Sequence, residues 1–429
     1  MKSKFVLRCV AACMALSVVT AGLCSCSNEN QDKVKASDNL LASVQKSEDA
    51  PGYDFNNAAQ KPEGYDNYIT KTSNIALQLL KQTNYSKENT ITAPVPVALS
   101  LSALENAANK NTLKQVKSFL GKNTQTAEEI NQNATYLSQR ISFFNTDDTG
   151  VFNVNSMWIS NELSPKRSFL QKVENYYNMY AYKTDFGVEN TNTVITNLIS
   201  DNSNSILNAD SIKLESDYKM YLDSSTAVSD CWLKPYDDSS VKTDSFTKAD
   251  GSKIDATYLT SAERTFKTDK AQGFVKDLKN ISCKLVCIMP NEDISLETYI
   301  NELTAEQFLD MPLGVSPTGF TSVSIPEFSI TKSGSIKEDI KNIGIDGIFD
   351  KDADFSKGFS EDIFVNDFSQ TVSITVNKNG ISTKNVNNHE LEKQNTNDSL
   401  VFNRPFIYAV VDNESYAPII MGTVNNPQG

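Results

Sequence analysis

The chain has 429 residues and a formal net charge of −13, from 40 lysines and arginines against 53 acidic residues. Its hydrophobic content of 39% is ordinary for a soluble globular protein. The single histidine, His389, excludes sites built on several histidines, and the negative charge argues against nucleic acid as the main partner. Enzymes that work with carboxylates alone, such as glycosidases, are not excluded by this composition.

Residues 1–25 are predicted to be a targeting segment. Three basic residues precede an apolar run at 9–23, which is typical of a secretory signal peptide. The run is about fifteen residues long, which is short for a membrane-spanning helix. The segment is therefore expected to direct export and then to be removed.

The apolar run ends in Leu23-Cys24-Ser25-Cys26, which resembles a bacterial lipobox. The resemblance implies cleavage before Cys26 and lipidation of its thiol. Cys24 fits less well, because Leu23 would then occupy the position of the small residue. An ordinary signal peptide with incidental cysteines is the alternative. Acylation would hold the exported chain on a bacterial membrane or cell surface, facing the outside.

Residues 26–65 are predicted to be the lipidated cysteine and a flexible tether. They are rich in Asn, Asp, Lys, Ser and Ala, and a segment of such low hydrophobicity does not repay the entropy lost on ordering. The later cysteines, Cys231, Cys283 and Cys287, show no disulfide framework and no metal-binding pair. They are expected to be small buried side chains.

One folded domain, residues 66–429, is predicted to follow, and its first part reads as helical. A helical period begins at Asn67, and a second apolar run opens at Pro94, since proline suits an early helical position. Thr112 is expected to cap a third helix over 113–120, which the next glycine ends.

After residue 150 the pattern changes to strands. β-branched and apolar runs bounded by polar turns predict strands at 151–157, 220–228, 285–289, 321–325, 371–376 and 406–411. Helices first and strands later indicate an α+β domain. No glycine-rich nucleotide-binding motif is present, and no cofactor is predicted.

A long polar segment at 377–399 separates two of the predicted strands. Loops of this length in compact domains are usually functional or disordered, and proteases prefer them. His389 lies inside this segment. A catalytic base needs rigid supporting residues, so His389 is interpreted as a solvated loop residue.

The C-terminal motifs resemble those of the serpin family. Residues 402–406 read FNRPF and residues 421–427 read MGTVNNP, which match the serpin ending F-N-[RK]-P-F and M-G-x-V-x-N-P. Further matches are NTITAP at 89–94 with Ala108, Thr112 and Gln115 after it, WLKPY at 232–236, MPNE at 289–292, IPEF at 325–328 and V-N-x-x-G at 376–380. The resemblance covers residues 66–428.

The resemblance implies three β-sheets, eight or nine helices and an exposed reactive-centre loop at about 378–400. It also implies suicide inhibition of serine or cysteine proteases: the protease acylates on the loop, which then inserts as a strand into the main sheet. Serpin insertion is a standard example of strand addition and of stored strain being released. The nucleophile belongs to the protease, so the chain is expected not to be an enzyme and to need no metal.

The loop length implies a position for the scissile bond. Gly380 and Phe402 are 22 positions apart, as in inhibitory serpins of standard length, which implies cleavage at Gln394-Asn395 within one or two residues. Lys393 would suit a trypsin-like protease and Glu392 a Glu-specific one. The target protease stays open.

The hinge of the loop departs from the family pattern. In place of threonine and a run of alanines after Gly380, the chain reads Ile381-Ser382-Thr383-Lys384-Asn385-Val386. With Ile381, Thr383 and Asn385 pointing inward, the Asn385 amide would need partners or would cost about 1–3 kcal/mol.

The region where the sheet would open also departs from the family. Pro96, Ser224 and Gln370 replace the family's serine, asparagine and histidine, while Trp232 is retained. Since three residues of one hydrogen-bond cluster have changed together, the cluster is predicted to be either repacked or broken.

These observations favour a surface-anchored, extracellular serpin that inhibits proteases. The alternative is a non-inhibitory serpin-fold binding protein or a protease substrate, because the hinge departs from the inhibitory pattern. A carboxylate enzyme or a solute-binding lipoprotein would need converging acidic residues, which no local motif indicates. The expected partners are target proteases and, through the lipid, the membrane, and a monomer is expected.

Overall fold

The computed structural model describes residues 35, 38–57, 60–83, 87–122, 124–209, 212–315, 319–382 and 398–429. The α-helices in these ranges are α1 Tyr65–Gln82, α2 Pro94–Glu105, α3 Lys110–Leu120, α4 Ala127–Ser142, α5 Arg167–Tyr176, α6 Thr191–Asn202, α7 Leu296–Glu302, α8 Ala305–Asp310 and α9 Lys337–Asn342. None of them is both long enough and apolar enough to cross a membrane.

Most of the β-strands lie after the first six helices, while α7, α8 and α9 lie between later strands. The strands are β1 Thr90–Thr92, β2 Gly150–Ser160, β3 Met179–Thr184, β4 Met220–Cys231, β5 Val241–Thr247, β6 Lys253–Lys267, β7 Ala271–Asp277, β8 Cys283–Pro290, β9 Thr321–Pro326, β10 Phe328–Ser335, β11 Asp367–Val376, β12 Gly380–Ile381, β13 Ser399–Val401, β14 Phe406–Asp412 and β15 Pro418–Val424.

The strands form three sheets. Sheet A has the order β10-β11-β12-β4-β2-β3. Sheet B has the order β1-β15-β14-β8-β7-β6, and sheet C contains β5, β6, β9 and β13. The long strand β6 joins sheets B and C, because it pairs with β7 only at 264–267 and with β5 and β9 before that. The expected fold class is confirmed.

The core is organised around α2. Its sequence is almost entirely apolar, and a helix that is apolar on all sides is expected to be buried. Every residue from Pro94 to Glu105 is indeed buried. The helix packs against β2 and β4 of sheet A on one side and β15 of sheet B on the other, and therefore fills the space between the two large sheets.

The predicted cap of α3 is wrong. Thr112 lies inside the helix, which begins at Lys110 after Asn109. The Thr112 hydroxyl instead accepts a hydrogen bond from the backbone N–H of Asp354, at 2.9 Å. The Thr112 side chain therefore bonds to a residue far along the chain and does not cap the helix.

Residues 38–57, named here the N-terminal strap, differ from the predicted flexible tether. Asn39 forms a β-bridge with Tyr182 on β3, and Val44 is buried in the core. Backbone groups of the strap bond to side chains of α4 and α5. The bonds are Arg167 Nη1 to Ser43 O at 2.7 Å, Gln171 Nε2 to Gln45 O at 2.7 Å, and Tyr53 N to Gln139 Oε1 at 3.0 Å.

Aromatic packing explains why the strap is ordered despite its polar composition. Tyr53 and Phe55 both meet the ring of Tyr136 edge to face, with centroids 4.9 and 5.1 Å away. Phe55 also contacts Phe143 at 5.4 Å. A few apolar side chains spaced along a polar segment can thus anchor it, which average composition does not reveal.

Candidate functional site: the loop hinge and the seam of sheet A

The loop at 377–399 leaves sheet A through a short hinge. After β11 the chain turns at Asn377, whose Oδ1 accepts from the N–H groups of Asn379 and Gly380 at 2.8 and 3.2 Å. Gly380 and Ile381 then form β12, which lies between β11 and the end of β4. The start of the loop is therefore already a strand of the sheet.

Ile381 points inward and is fully buried in the main core. The next residue, Ser382, has a φ of 48°, an uncommon conformation for a residue with a side chain. Its N–H donates to Thr375 O at 2.8 Å, and its hydroxyl accepts from Thr375 N–H at 3.2 Å. Backbone pairing of the hinge within the described residues thus ends at Ser382.

Trp232 fixes the hinge from the side of β4. Its indole N–H donates to Asn377 O at 2.8 Å, and its backbone N–H donates to Asn379 O at 3.1 Å. Beneath it, the ammonium of Lys276 lies 5.5 Å from the Trp232 ring and 4.2 Å from the Tyr236 ring, and pairs with Glu263. Trp232 therefore belongs to the hinge.

An exposed salt bridge and a backbone hydrogen bond lie at the turn before the hinge. Lys378 Nζ lies 2.5 Å from Asp238 Oδ1, and this hydrogen bond raises the pKa of Lys378 above its usual value. The backbone N–H of Lys378 donates to Glu327 Oε1 at 3.1 Å. The pair is exposed, so we expect it to contribute little to stability and to be weakened by salt.

The boundary between β4 and β11, named here the seam, is paired more weakly than its neighbour. β10 and β11 pair continuously from Phe328↔Val376 to Ser335↔Ser369. Three pairs of hydroxyls, each 2.8 Å apart, reinforce them: Ser329 with Thr375, Thr331 with Ser373 and Ser333 with Thr371. Across the seam, pairing runs only from 367↔221 to 373↔227 and omits residues 370 and 371.

Two predicted residues of the opening region, Pro96 and Ser224, lie together under the seam. The Ser224 hydroxyl is 3.2 Å from Pro96 O and 2.7 Å from the Ser100 hydroxyl. Asn155 Nδ2 donates to the same Pro96 O at 2.7 Å and to Ser100 Oγ at 2.9 Å. The cluster is repacked around Ser100 and Asn155, which sequence reasoning missed. Ser100 follows Pro96 by one helical turn, a signal that could have identified it.

Gln370 makes separate contacts on the neighbouring strand. Its Nε2 donates to Ala93 O at 2.8 Å, and its Oε1 accepts from Ala93 N–H at 3.0 Å. Oε1 also accepts from the hydroxyl of Thr92 at 3.3 Å. Gln370 thus ties β11 to the residue that precedes α2.

Comparisons with known proteins agree with this geometry. A sequence model of the serpin family, described as serine protease inhibitors, matches residues 70–427. The chain belongs to the serpin family. An alpha-1-antitrypsin-like protein from Ictidomys tridecemlineatus is 24% identical over 407 residues, which is 90% of this chain and 94% of that protein. Serine proteinase inhibitor 1 of Monkeypox virus is 23% identical and covers 82% of this serpin and 98% of its own length.

Solved serpin structures resemble this one closely. The thermophilic serpin tengpin in its native state has a TM-score of 0.80 and 27% identity, and the match covers 90% of this chain and 99% of tengpin. Human thyroxine-binding globulin, solved as a complex with thyroxine, has a TM-score of 0.77 at 17% identity, with 85% and 99% covered. The second likeness shows the fold alone.

Several predicted residues of this serpin lie outside the described residues. They are the hinge residues Thr383, Lys384, Asn385 and Val386, the predicted scissile pair Gln394 and Asn395, His389 and the lipidation candidate Cys26. Cys231, Cys283 and Cys287 are described, and all three are free and buried. No group of three or more metal-ligating side chains is found in the described part of the chain.

Proposed function

We propose that this serpin is a suicide inhibitor of extracellular serine or cysteine proteases. The protease nucleophile attacks the carbonyl carbon of Gln394, and the bond to the nitrogen of Asn395 breaks. The chain up to Gln394 then remains joined to the protease as an acyl-enzyme. Residues from Ile381 onward enter the seam as a new strand between β4 and β11, and the attached protease is carried along and distorted.

One observation carries this proposal: the first residues of the loop already lie in the sheet, at the end of the boundary between β4 and β11 whose pairing is interrupted. β12 pairs with Val376 on one side and with Asp230 and Cys231 on the other. Insertion therefore extends an existing strand and needs no new nucleation site. β4 has 12 residues and β11 has 10, so the inserted strand would have neighbours along most of its length.

We further propose that the chain is exported and anchored through a lipid on Cys26. The position of the strap supports this arrangement, since Asn39 pairs with Tyr182, which is in register with Trp158 and Tyr221. Tyr221 is about 33 Å from the hinge-paired Cys231 at about 3.3 Å per residue. A lipid attached ahead of the strap would leave the loop at the far end of sheet A, away from the membrane.

The decisive experiment is a denaturing gel after mixing the protein with trypsin-like, elastase-like, Glu-specific and cysteine proteases. The proposal predicts an SDS-stable complex near the summed mass with at least one of them. Cleavage near Gln394 without a complex in every case would overturn it. For the anchor, labelled palmitate should enter the wild-type chain but not Cys26→Ala, and equal labelling of both would contradict the assignment.

The non-inhibitory alternative also rests on a specific observation. Ser382 adopts the left-handed conformation directly after Ile381 and is bonded to Thr375. This turn has to unfold before Thr383 can follow Ile381 into the seam. If the turn persists, the loop is cleaved as a substrate and the fold serves binding, and the same gel would then show only the cleaved chain.

A further inference from the structure

A carboxylate is buried in sheet A beside the seam. Asp223 on β4 is fully buried, and its neighbours in register are Ser156 on β2 and Ser369 on β11. Its Oδ1 accepts a hydrogen bond from the Ser225 hydroxyl at 2.6 Å. Its Oδ2 has no hydrogen-bond partner among the described residues. A buried carboxylate with one unsatisfied oxygen is costly when it is ionised.

Asp223 is connected to the opposite strand through Ser225. The Ser225 hydroxyl accepts from the backbone N–H of Thr371 on β11, at 3.0 Å. Thr371 lies where the pairing between β4 and β11 is interrupted. The hydrogen-bonded chain from Thr371 through Ser225 to Asp223 therefore spans the seam at the position where backbone pairs are missing.

The surroundings of Asp223 favour its neutral form. Tyr221 and Ala227, which share its face of the strand, pack with Ile195 and Ile199 of α6. The titratable side chains nearby are Tyr221 on β4 and, beyond it, Tyr218 and Asp367, while β2 presents Ser156 and Trp158. Burial raises the pKa of Asp223 to about 8, although hydrogen bonds from Ser225 act in the opposite direction.

We propose that the protonation state of Asp223 controls the opening of sheet A between β4 and β11. In its neutral form Asp223 holds β4 and β11 together, and its ionisation speeds their separation. The inference rests on the proposed insertion mechanism, because it names a regulator of that same seam.

The direction follows from hydration. Separation of β4 from β11 breaks the bond between Thr371 and Ser225 and admits water to the carboxylate. Water stabilises the ionised carboxylate much more than the neutral one, whereas in the closed sheet Asp223 Oδ2 has no hydrogen-bond donor among the described residues. The opened state therefore binds the proton less tightly than the closed state, and opening is linked to release of that proton. Insertion should be slow in mildly acidic surroundings and faster at neutral and alkaline pH.

The test measures opening without any protease. A synthetic peptide with the sequence of residues 381–394 is added to the full chain, kept in detergent because of its apolar residues 9–23. Its rate of incorporation is followed on native gels between pH 5.5 and 8.5. The readout is the ratio of rates in wild type and Asp223→Asn, because titration of the peptide's own His389 and carboxylates affects both proteins alike.

We expect this ratio to rise by up to about tenfold per pH unit below pH 7.5 and to level off above about 8. Glu105→Gln, which removes another buried acid at the end of α2, should show the same pH dependence of the incorporation rate as wild type. Ser225→Ala should open faster at every pH but retain the slope. A constant ratio of wild type to Asp223→Asn would overturn the proposal.

A direct titration covers the case in which Asp223→Asn fails to fold. In the ¹³C NMR spectrum of Asp-labelled wild type, the carboxyl signal of Asp223 should titrate above pH 7, and a midpoint near 4 would overturn the inference. Protease complexes play no part in either measurement. If no protease is inhibited but the ratio of rates depends on pH, only the proposed function is wrong. If a protease is inhibited but the ratio is constant, only the control of opening by Asp223 is wrong.

Discussion

At the scale of single residues, the region under sheet A depends on polar side chains that satisfy backbone groups. Gln370 forms hydrogen bonds with both the N–H and the carbonyl of Ala93. Asn155 and Ser224 both donate hydrogen bonds to the carbonyl of Pro96. These backbone groups flank the beginning of α2. A buried backbone group without its partner costs about 1–3 kcal/mol, so such side chains are strong determinants of local geometry.

Replacing Gln370 tests this view. Gln370→Ala should lower the free energy of unfolding of the uncleaved chain by about 1–3 kcal/mol, because both groups of Ala93 lose their partner without access to water. Urea unfolding followed by circular dichroism measures the loss. Gln60→Ala, at an exposed glutamine, is the control and should change stability by less than about 0.5 kcal/mol. Equal effects of the two substitutions would contradict the role of Gln370.

Glu105 gives a prediction on pH. It is buried at the end of α2, neither carboxylate oxygen has a partner among the described residues, and burial raises its pKa to about 7. A raised folded-state pKa means that its contribution to stability is present below the unfolded value of 4.5 and is lost as the pH rises through about 7.

The variant Glu105→Gln removes that loss. Between pH 5 and pH 8, the stability of the variant relative to wild type should increase by about 2–3 kcal/mol, measured by urea unfolding at both pH values. The exposed Glu48→Gln is the control and should leave the difference between the two pH values unchanged. A pH-independent difference for Glu105→Gln would show that the carboxyl ionises normally.

At the scale of elements, the strap and the seam show how local segments are held. The strap joins β3, α5 and α4, three elements that are separate in the chain. β11, in contrast, is bound firmly to β10 by continuous pairing and three pairs of hydroxyls, and weakly to β4. Cross-strand hydroxyl pairs add to the stability of a sheet, so β11 should stay with β10 when sheet A opens.

The aromatic contacts of the strap can be removed without touching the domain. The double variant Tyr53→Ala and Phe55→Ala should lower the free energy of unfolding by about 1–3 kcal/mol, since both rings lie against Tyr136. Differential scanning calorimetry would record the accompanying fall in Tm. Phe144→Ala, at an aromatic residue that is 45% exposed, is the matched control. An unchanged Tm in the double variant would mean that the strap does not stabilise the domain.

At the scale of the whole molecule, the proposed function requires a native state that is less stable than its cleaved form. Cleavage near Gln394 should raise Tm sharply, because the released loop gains backbone pairing on both sides in the seam. Calorimetry before and after limited proteolysis measures this shift.

The variant Thr383→Arg should abolish that rise, because Thr383 is predicted to point inward on insertion and the substitution would bring an unpaired charge into the seam. It should also turn the protein from an inhibitor into a substrate. Ser399→Arg, which adds the same charge at an exposed position of β13, should behave like wild type. A sharp rise of Tm in cleaved Thr383→Arg would contradict insertion through this hinge.

The sequence by itself determined the fold class, the family, three of the helices and six of the strands. Periodic apolar patterns predicted α1, α2 and the main strands, since a helix or strand must bury its apolar side, and the motifs at 402–406 and 421–427 pointed to the family. These features are local, and local patterns can be read without knowing the fold.

Only the tertiary structure decided which distant residues meet. Asn155, Asp223 and Ser225 carry no local signature, yet the packing of α2 on sheet A and the register of β4 with β11 bring them to the opening region. Thr112 bonded a distant backbone group, and the polar strap became ordered through a few aromatic contacts. Hydrogen bonds and ring contacts between distant segments depend on the arrangement of elements in space, and composition and spacing do not contain that information.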